Sequence, residues 1–397
     1  MRHMKIRLVM LAAALAAGTV RAGDPSQAEE LRIRGGLPNV AAGLAEGRKM
    51  TVCYLGGSIT HAANGWRSKS MDWLRKRYPK CEFTELNATI CGTGADYGAT
   101  RFPADVLAKG TPDLLFVEFR VNGGNRPAVE GIVRQMWKAN PQADICFVYT
   151  ICEGMVKDIR AGKHSAFCTQ MEEVADRYGI PSVDFGIEVV KRLDAGSLAF
   201  SPAGHRPGQL LFTRDTCHPT PEGHDVYVGT LVPALEKCFA TGRPGAHELG
   251  TPLEAHPYDV CELAPAADFV SGPDWVRVDT RTDKVYRSDF GRTEAMLRGA
   301  YATEKEGASF TVRWTGSTLI LSDIPQDAEM IVESVVDGGK PQVQKRIRSK
   351  EHLLHARFWY VWAGSWGPHE AKITVRKIPA GQKFFCGQLQ AIGRFAR

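Results

Sequence analysis

Between Met50 and Ala240, short β-branched runs alternate with stretches whose apolar residues recur at helical spacing, and that rhythm leaves few architectures open. MTVCYLG (Met50–Gly56), CEFTELN (Cys81–Asn87), DLLFVEF (Asp113–Phe119), DICFVYT (Asp144–Thr150) and IPSVDF (Ile180–Phe185) read as strands. The first, third and fourth are apolar nearly throughout, as strands covered on both faces are. Trp66–Tyr78, Val129–Ala139 and Ser165–Tyr178 between them, and Pro221–Phe239 after them, read as helices. Such alternation predicts a parallel sheet with helices on both sides. Right-handed crossovers then gather the strand-to-helix loops on one edge, where folds of this kind hold their sites.

After Phe239 the texture changes. Thr241–Pro265 is rich in Gly, Pro and Ala and reads as a linker. Beyond it, period-2 segments (Ala308–Trp314, Ser317–Ser322, Met330–Val336, Ala371–Lys377) alternate with turn signals at Trp314–Ser317 and Val336–Gly339. Short strands without long helices between them predict an antiparallel β-sandwich. A chain of 397 residues has room for both units.

At the other end, residues 1–22 read as a secretory signal peptide: basic residues, an apolar run from Leu8 to Val20, then Val20-Arg21-Ala22 as a small-x-small cleavage site. The expected division is therefore 1–22 signal peptide, 23–245 catalytic-type domain, 246–265 linker and 266–397 β-sandwich. The apolar run falls short of the roughly 20 residues a bilayer needs, so a secreted or periplasmic protein without a membrane anchor is expected. The chain's formal charge of +6 misleads. Arg2, Lys5, Arg7 and Arg21 lie in the first 22 residues beside no acid, leaving +2 for the rest. That is too little for a general pull on phosphate backbones, and no nucleic-acid partner is expected. Export permits disulfides, but the ten cysteines keep no framework rhythm, and Cys53 and Cys146 fall in strand-like runs as buried thiols.

Four loops carry chemistry. Gly56-Gly57-Ser58-Ile59-Thr60 follows the first strand, and its glycines allow a sharp turn that presents a serine. Taken alone it is equally a glycine turn with a capping serine; it is not a GxSxG elbow, since Thr60 replaces the second glycine. Asp215-Thr216-Cys217-His218-Pro219 precedes the last helix. A serine hydroxyl needs an imidazole to take its proton, and the imidazole needs an acceptor on its other nitrogen, which an aspartate three residues earlier supplies locally. Read alone, this is a surface turn. Asn87–Gly94 leaves the second strand and Val121–Asn125 the third; the N–H of Gly92 and the amide of Asn122 emerge on the same edge as Ser58 and can serve a developing alkoxide.

In chain order, these blocks resemble the SGNH (GDSL-type) hydrolases: GGSIT looks like the first block, NATICGTG the second, FVEFRVN the third and DTCHP the fifth. The likeness spans about Met50 to Phe239, and the stretches around VEFRVN resemble a bacterial branch that contains carbohydrate esterases. It implies a flavodoxin-like α/β/α sandwich of three layers on a five-stranded parallel sheet. It implies Ser58 as nucleophile, His218 as general base, Asp215 as its orienting partner, and an oxyanion hole from the amides of Ser58 and Gly92 with Asn122. Two departures stand out. Gly57 occupies a position that is commonly aspartate, and Gly123 follows Asn122 where aspartate is common, which leaves Asn125 as a competitor.

The expected activity is removal of small acyl groups, acetyl above all, from an acylated oligo- or polysaccharide, with no metal or organic cofactor. Alternatives are a non-catalytic glycan-binding protein on a decayed hydrolase scaffold, and a lipase or thioesterase. Trp66, Arg101 and Arg120 are candidate substrate contacts, with core or ion-pair roles as the plain alternatives. His224 with His218 lacks further ligands at metal spacing and reads as a packing histidine. Phe358, Trp359, Tyr360, Trp362 and Trp366 form an aromatic cluster that is either core or sugar platform.

Overall fold

The computed structural model describes residues 23–279, 291–348 and 355–396. The expected signal peptide, residues 1–22, lies outside the described residues. Among these, no helix is long and apolar enough to cross a membrane.

The N-terminal unit holds β1 (Leu31–Arg32), α1 (Pro38–Glu46), β2 (Lys49–Gly56), α2 (Ser58–His61), α3 (Trp66–Arg77), β3 (Glu82–Thr89), α4 (Ala95–Phe102), β4 (Leu114–Glu118), α5 (Arg126–Ala139), β5 (Asp144–Tyr149), α6 (Val156–Arg160), α7 (Ala166–Tyr178), β6 (Ser182–Asp184), α8 (Phe185–Asp194), the short pair β7 (Leu198–Ala199) and β8 (Leu210–Leu211), and α9 (Pro221–Phe239). Its main sheet has the order β1-β6-β5-β4-β2-β3. β2 to β6 run parallel, while β1 pairs antiparallel with β6. The expected five-stranded sheet is therefore six-stranded; two residues are too few for β1 to display a period.

Pleating sends alternate residues to opposite faces, and the core divides accordingly. Val52 and Tyr54 of β2 meet α1, α3, α8 and α9 through Leu44, Trp66, Val189 and Leu231. Cys53 and Leu55 meet α4, α5 and α7 through Phe102, Ile132 and Met171. Cys53 and Cys146 are fully buried.

The C-terminal unit contains β9 (Cys261–Ala264), β10 (Val276–Arg277), α10 (Arg292–Met296), β11 (Tyr301–Thr303), β12 (Ser309–Asp323), β13 (Met330–Val336), β14 (Gln342–Arg346), β15 (Arg357–Lys377), β16 (Phe384–Cys386) and β17 (Leu389–Phe395). An antiparallel sheet of order β14-β13-β15-β12-β17-β9 lies beside a three-stranded one, β10-β11-β16. The turn expected at Trp314–Ser317 is instead a bulge inside the continuous β12. Gly316 permits it, because a Cβ there would strike the Ile392 carbonyl of β17 at 2.0 Å. Within the stretch expected as linker, Tyr258 packs on α5, with its amide bonded to the Pro127 carbonyl, and β9 pairs with β17.

The two units share buried contacts. Tyr97 of α4 is 1% exposed and packs with Met296, Leu297 and Phe385. Its hydroxyl donates to Gln388 (2.9 Å), and Thr100 donates to Gln390 (2.7 Å). Buried polar groups satisfied across a boundary hold it in one register. The C-terminal unit is thereby fixed next to the loops that leave β3 and β4.

Candidate active site

Each loop of interest is held by backbone and buried side chains. β2 ends at Gly56, the chain passes Gly57 in extended conformation, and Ser58 opens the single-turn α2. Beneath this turn lies Glu118, the last residue of β4 and fully buried. Its carboxyl accepts from Thr60 Oγ1 (2.8 Å), from Thr150 Oγ1 (2.7 Å) and from the Gly57 amide. Burial pushes the Glu118 pKa up against those bonds. Glu118 lies in FVEFRVN but was not singled out from the sequence; an acid within an apolar strand was the available signal.

The second loop is wound around Asp215. Its Oδ1 accepts from the amides of Cys217 (3.1 Å) and His218 (2.8 Å). Thr216 sits between them at φ +72°, a left-handed conformation that costs a β-branched residue about 1–3 kcal/mol. Two bonds brace it: the Thr216 amide reaches Thr213 Oγ1 (3.1 Å), and the Glu153 amide reaches the Thr216 carbonyl (2.9 Å). Thr220 then caps α9.

These two loops come together across 160 residues of sequence. Ser58 Oγ lies 2.8 Å from His218 Nε2, and His218 Nδ1 lies 2.7 Å from Asp215 Oδ2. Partial burial raises the Asp215 pKa, but the His218 amide, the His218 ring and the Cys217 amide outweigh it, so the carboxyl stays below its ordinary value. An ionised carboxylate so placed fixes the Nδ1–H tautomer and leaves Nε2 to accept the serine proton. The side chains of His218 and Asp215 remain about half exposed (50% and 54%), so the relay lies at an open rim.

Asn122 follows β4, and its amide rests against Gly57; a Cβ on residue 57 would sit 2.0 Å from Asn122 Oδ1. That contact accounts for glycine where the resembled family commonly has aspartate. Gly123, the second departure, adopts φ +82°, donates to the Phe119 carbonyl (2.7 Å) and accepts from the Ala95 amide (2.9 Å), so backbone bonds brace the Asn122 turn without a carboxylate. Asn125 is the N-cap of α5, with Oδ1 accepting from the Ala128 amide at 2.9 Å. On the other side, Gly92 adopts φ +65° in the loop after β3.

A cleft of about 430 Å³ opens between these loops and the C-terminal unit, lined by Gly92, Asp96, Asn122 and Asn125 on one side and by Arg292, Arg357, Phe358 and Tyr360 on the other. Tyr360 donates to Asp96 (3.3 Å), whose pKa burial pushes up, and Arg292 donates to the Gly92 carbonyl (2.7 Å). The aromatic cluster of β15 is thus divided. Trp359 is core, Phe358 and Tyr360 face the cleft, and Trp366 is 38% exposed and stacks on His256.

No family model matches the chain, and no curated protein does. Solved structures do. A two-domain esterase active on acetylated mannans, crystallised with mannopentaose, superposes with TM-score 0.70 and 20% identity over 93% of this chain and 100% of its own. A second structure of a two-domain esterase active on acetylated mannans gives 0.70 and 19% over 92% and 98%. The chain has that two-domain fold. A catalytic mutant of an acetylxylan esterase from Geobacillus stearothermophilus aligns with 47% of this chain and 94% of its own at TM-score 0.37 and 16% identity, too distant to weigh.

Within the two-domain fold, three expected substrate contacts prove to be interior residues. Trp66 is 0% exposed and packs edge-on to Tyr54, Phe116 and Phe185. Arg101, also 0% exposed, donates to the Ala88 carbonyl (2.7 Å) and pairs with Asp105 (3.2 Å). Arg120 pairs with buried Asp184 (2.5 Å) and donates to the carbonyls of Thr150 and Tyr149. Each guanidinium is spent on closing strand ends, which needs a cation as much as a ligand would. His224 is buried, with Nδ1 accepting from the Trp66 amide (3.2 Å), and burial pushes its pKa down to about 4. Among the described residues, no group of three or more His, Cys, Asp or Glu is arranged to hold a metal ion.

Proposed function

We propose that this chain is a secreted serine esterase that removes small acyl groups, acetyl above all, from carbohydrate, working by a Ser58–His218–Asp215 triad. The continuous hydrogen-bonded line from Ser58 Oγ through the imidazole to Asp215 carries the reading. Ser58 Oγ attacks the ester carbonyl carbon while His218 Nε2 takes its proton, and the new imidazolium is stabilised by Asp215. The carbonyl oxygen becomes an alkoxide that accepts from the amides of Ser58 and Gly92 and from the Asn122 side chain, each donor worth about 2.7–4 kcal/mol. Collapse breaks the bond to the sugar oxygen, which leaves as an alcohol with the proton from His218. Water, deprotonated by the same imidazole, then attacks the acyl-enzyme and releases the carboxylic acid with Ser58 restored.

The open rim suits an ester displayed on a bulky polymer. The cleft's aromatic and amide groups suit a sugar, whose faces stack on rings and whose hydroxyls pair with polar side chains. The fold neighbour acts on acetylated mannans, which makes acetylated mannan the first polymer to assay. Export is proposed from residues 1–22 as a signal peptide. The testing experiment is release of acetate from acetylated mannan and of p-nitrophenol from p-nitrophenyl acetate by the native protein and by Ser58→Ala. Turnover that vanishes in the variant supports the reading; turnover that survives refutes it.

A further inference from the structure

The Gly92 loop supplies one backbone donor of the proposed oxyanion hole. Gly92 is solvent-exposed, in the left-handed region, and glycine there gives up more backbone freedom than any other residue. Its carbonyl is met by a group from the other unit: Arg292 Nη1 donates to it at 2.7 Å. The donor is itself fixed. Arg292 Nε donates to the Ala356 carbonyl at 2.9 Å, and the Ala356 amide donates back to Thr293 Oγ1 at 2.9 Å, so the first turn of α10 and residue 356 hold one another. A planar guanidinium bound at one edge presents its remaining N–H groups in a set direction, which a lysine ammonium does not. The fit is close: a Cβ on Gly92 would lie 2.5 Å from Arg292 Nη1.

We infer that Arg292 of the C-terminal unit is a positioning residue for catalysis: by holding the Gly92 carbonyl, in the peptide unit that follows Gly92, it restricts rotation at this glycine and so keeps the N–H on its other side turned toward the oxyanion. The inference rests on the esterase reading above and adds to it. The hole is complete only with the C-terminal unit docked, and that unit sets the rate as well as any grip on sugar. Arg292 acts through Gly92 and takes no proton.

The test uses the full chain and p-nitrophenyl acetate, a substrate with no sugar to lose. Arg292→Ala should lower kcat about 10- to 100-fold, since a donor displaced by about 1 Å costs up to that much, with KM nearly unchanged. Phosphonylation of the serine by a fluorophosphonate should slow by a similar factor. Arg292→Lys should recover part of the loss, and added guanidinium ion should partly rescue the alanine variant. Melting temperatures measured alongside separate this from loss of folding, and the lysine variant keeps the charge should the alanine variant fold poorly. An unchanged kcat for p-nitrophenyl acetate, with KM raised only for acetylated oligosaccharide, would make Arg292 a sugar contact and overturn the inference. A kcat loss that neither lysine nor guanidinium relieves and that follows the melting temperature would overturn it as well. Ser58→Ala run in parallel keeps the two claims apart. If it retains turnover, the esterase reading itself is lost; if it is inactive while Arg292→Ala is as fast as native, only the role of Arg292 is lost.

Discussion

Gly57→Ala isolates the contact between the serine turn and Asn122. The backbone at residue 57 is extended (φ −97°, ψ −153°), so alanine meets no left-handed penalty. The obstacle is the side chain alone, since its Cβ would sit 2.0 Å from Asn122 Oδ1 and 2.8 Å from Cγ. Non-bonded contacts relax near 3.5 Å, so the amide must retreat by more than about 1 Å. Loss of one oxyanion donor lowers kcat about 10²–10³-fold, or about 2.7–4 kcal/mol. Overpacking adds about 1–3 kcal/mol of lost stability, a fall in Tm of roughly 1–4 °C for a chain of this size. Steady-state kinetics on p-nitrophenyl acetate should therefore give Gly57→Ala the kcat of Asn122→Ala, with KM little altered. The double variant should be no slower than either single one, because Asn122→Ala removes the atoms that the new Cβ strikes. A native kcat in Gly57→Ala, or losses that multiply in the double variant, would refute the reasoning.

Three further outcomes are expected. Asp215→Asn keeps an Oδ1 acceptor for the amides of Cys217 and His218, so Tm should hold while kcat falls on the order of 10⁴-fold through the wrong imidazole tautomer; a loss under tenfold would remove Asp215 from the relay. His224, at about 4 in the fold against 6.5 in the free side chain, must stay neutral when buried. Its stabilising share is whole above pH 6.5 and is lost as pH falls toward 4, up to about 3 kcal/mol. His224→Asn should flatten that part of the pH–Tm curve, and an unchanged slope would contradict the assignment. Arg120→Met strands buried Asp184 without its cation, which should cost about 3–5 kcal/mol in denaturant unfolding; unchanged stability with a raised KM would return Arg120 to the substrate.

What the chain discloses before its structure follows from which contacts are local. β2, β4 and β5 are legible because burial on both faces demands continuous apolar runs, and α9 because Thr220-Pro221 marks a capped start. α4 is not. Gly98 sits at its centre, against propensity, because Phe119, the residue after β4, packs so close that a Cβ would lie 2.7 Å from the ring, and such a reason lies 21 residues away. The Trp314–Ser317 bulge is hidden likewise, its glycine answering to β17 rather than to a turn. Ser58, Asp215 and His218 were legible through chain order and residue chemistry, and the structure brings all three within hydrogen-bonding range. Arg101 and Arg120 misled, since a cation near a strand's end looks the same whether it serves a carbonyl or a ligand. Glu118 carries a faint signal, an acid in an apolar strand, whereas Arg292 carries no pattern of its own; its placement rests on long-range contacts that no spacing records.

Catalysis by this triad requires Ser58 to form a covalent acyl intermediate. Native protein mixed with p-nitrophenyl acetate, quenched in acid during turnover, digested and analysed by mass spectrometry should carry one acetyl group on Ser58. The adduct should be absent in Ser58→Ala and should form far more slowly when His218, the base for the attack, is replaced by glutamine. Turnover with no acetylated serine, or with the acetyl group on another residue, would contradict it.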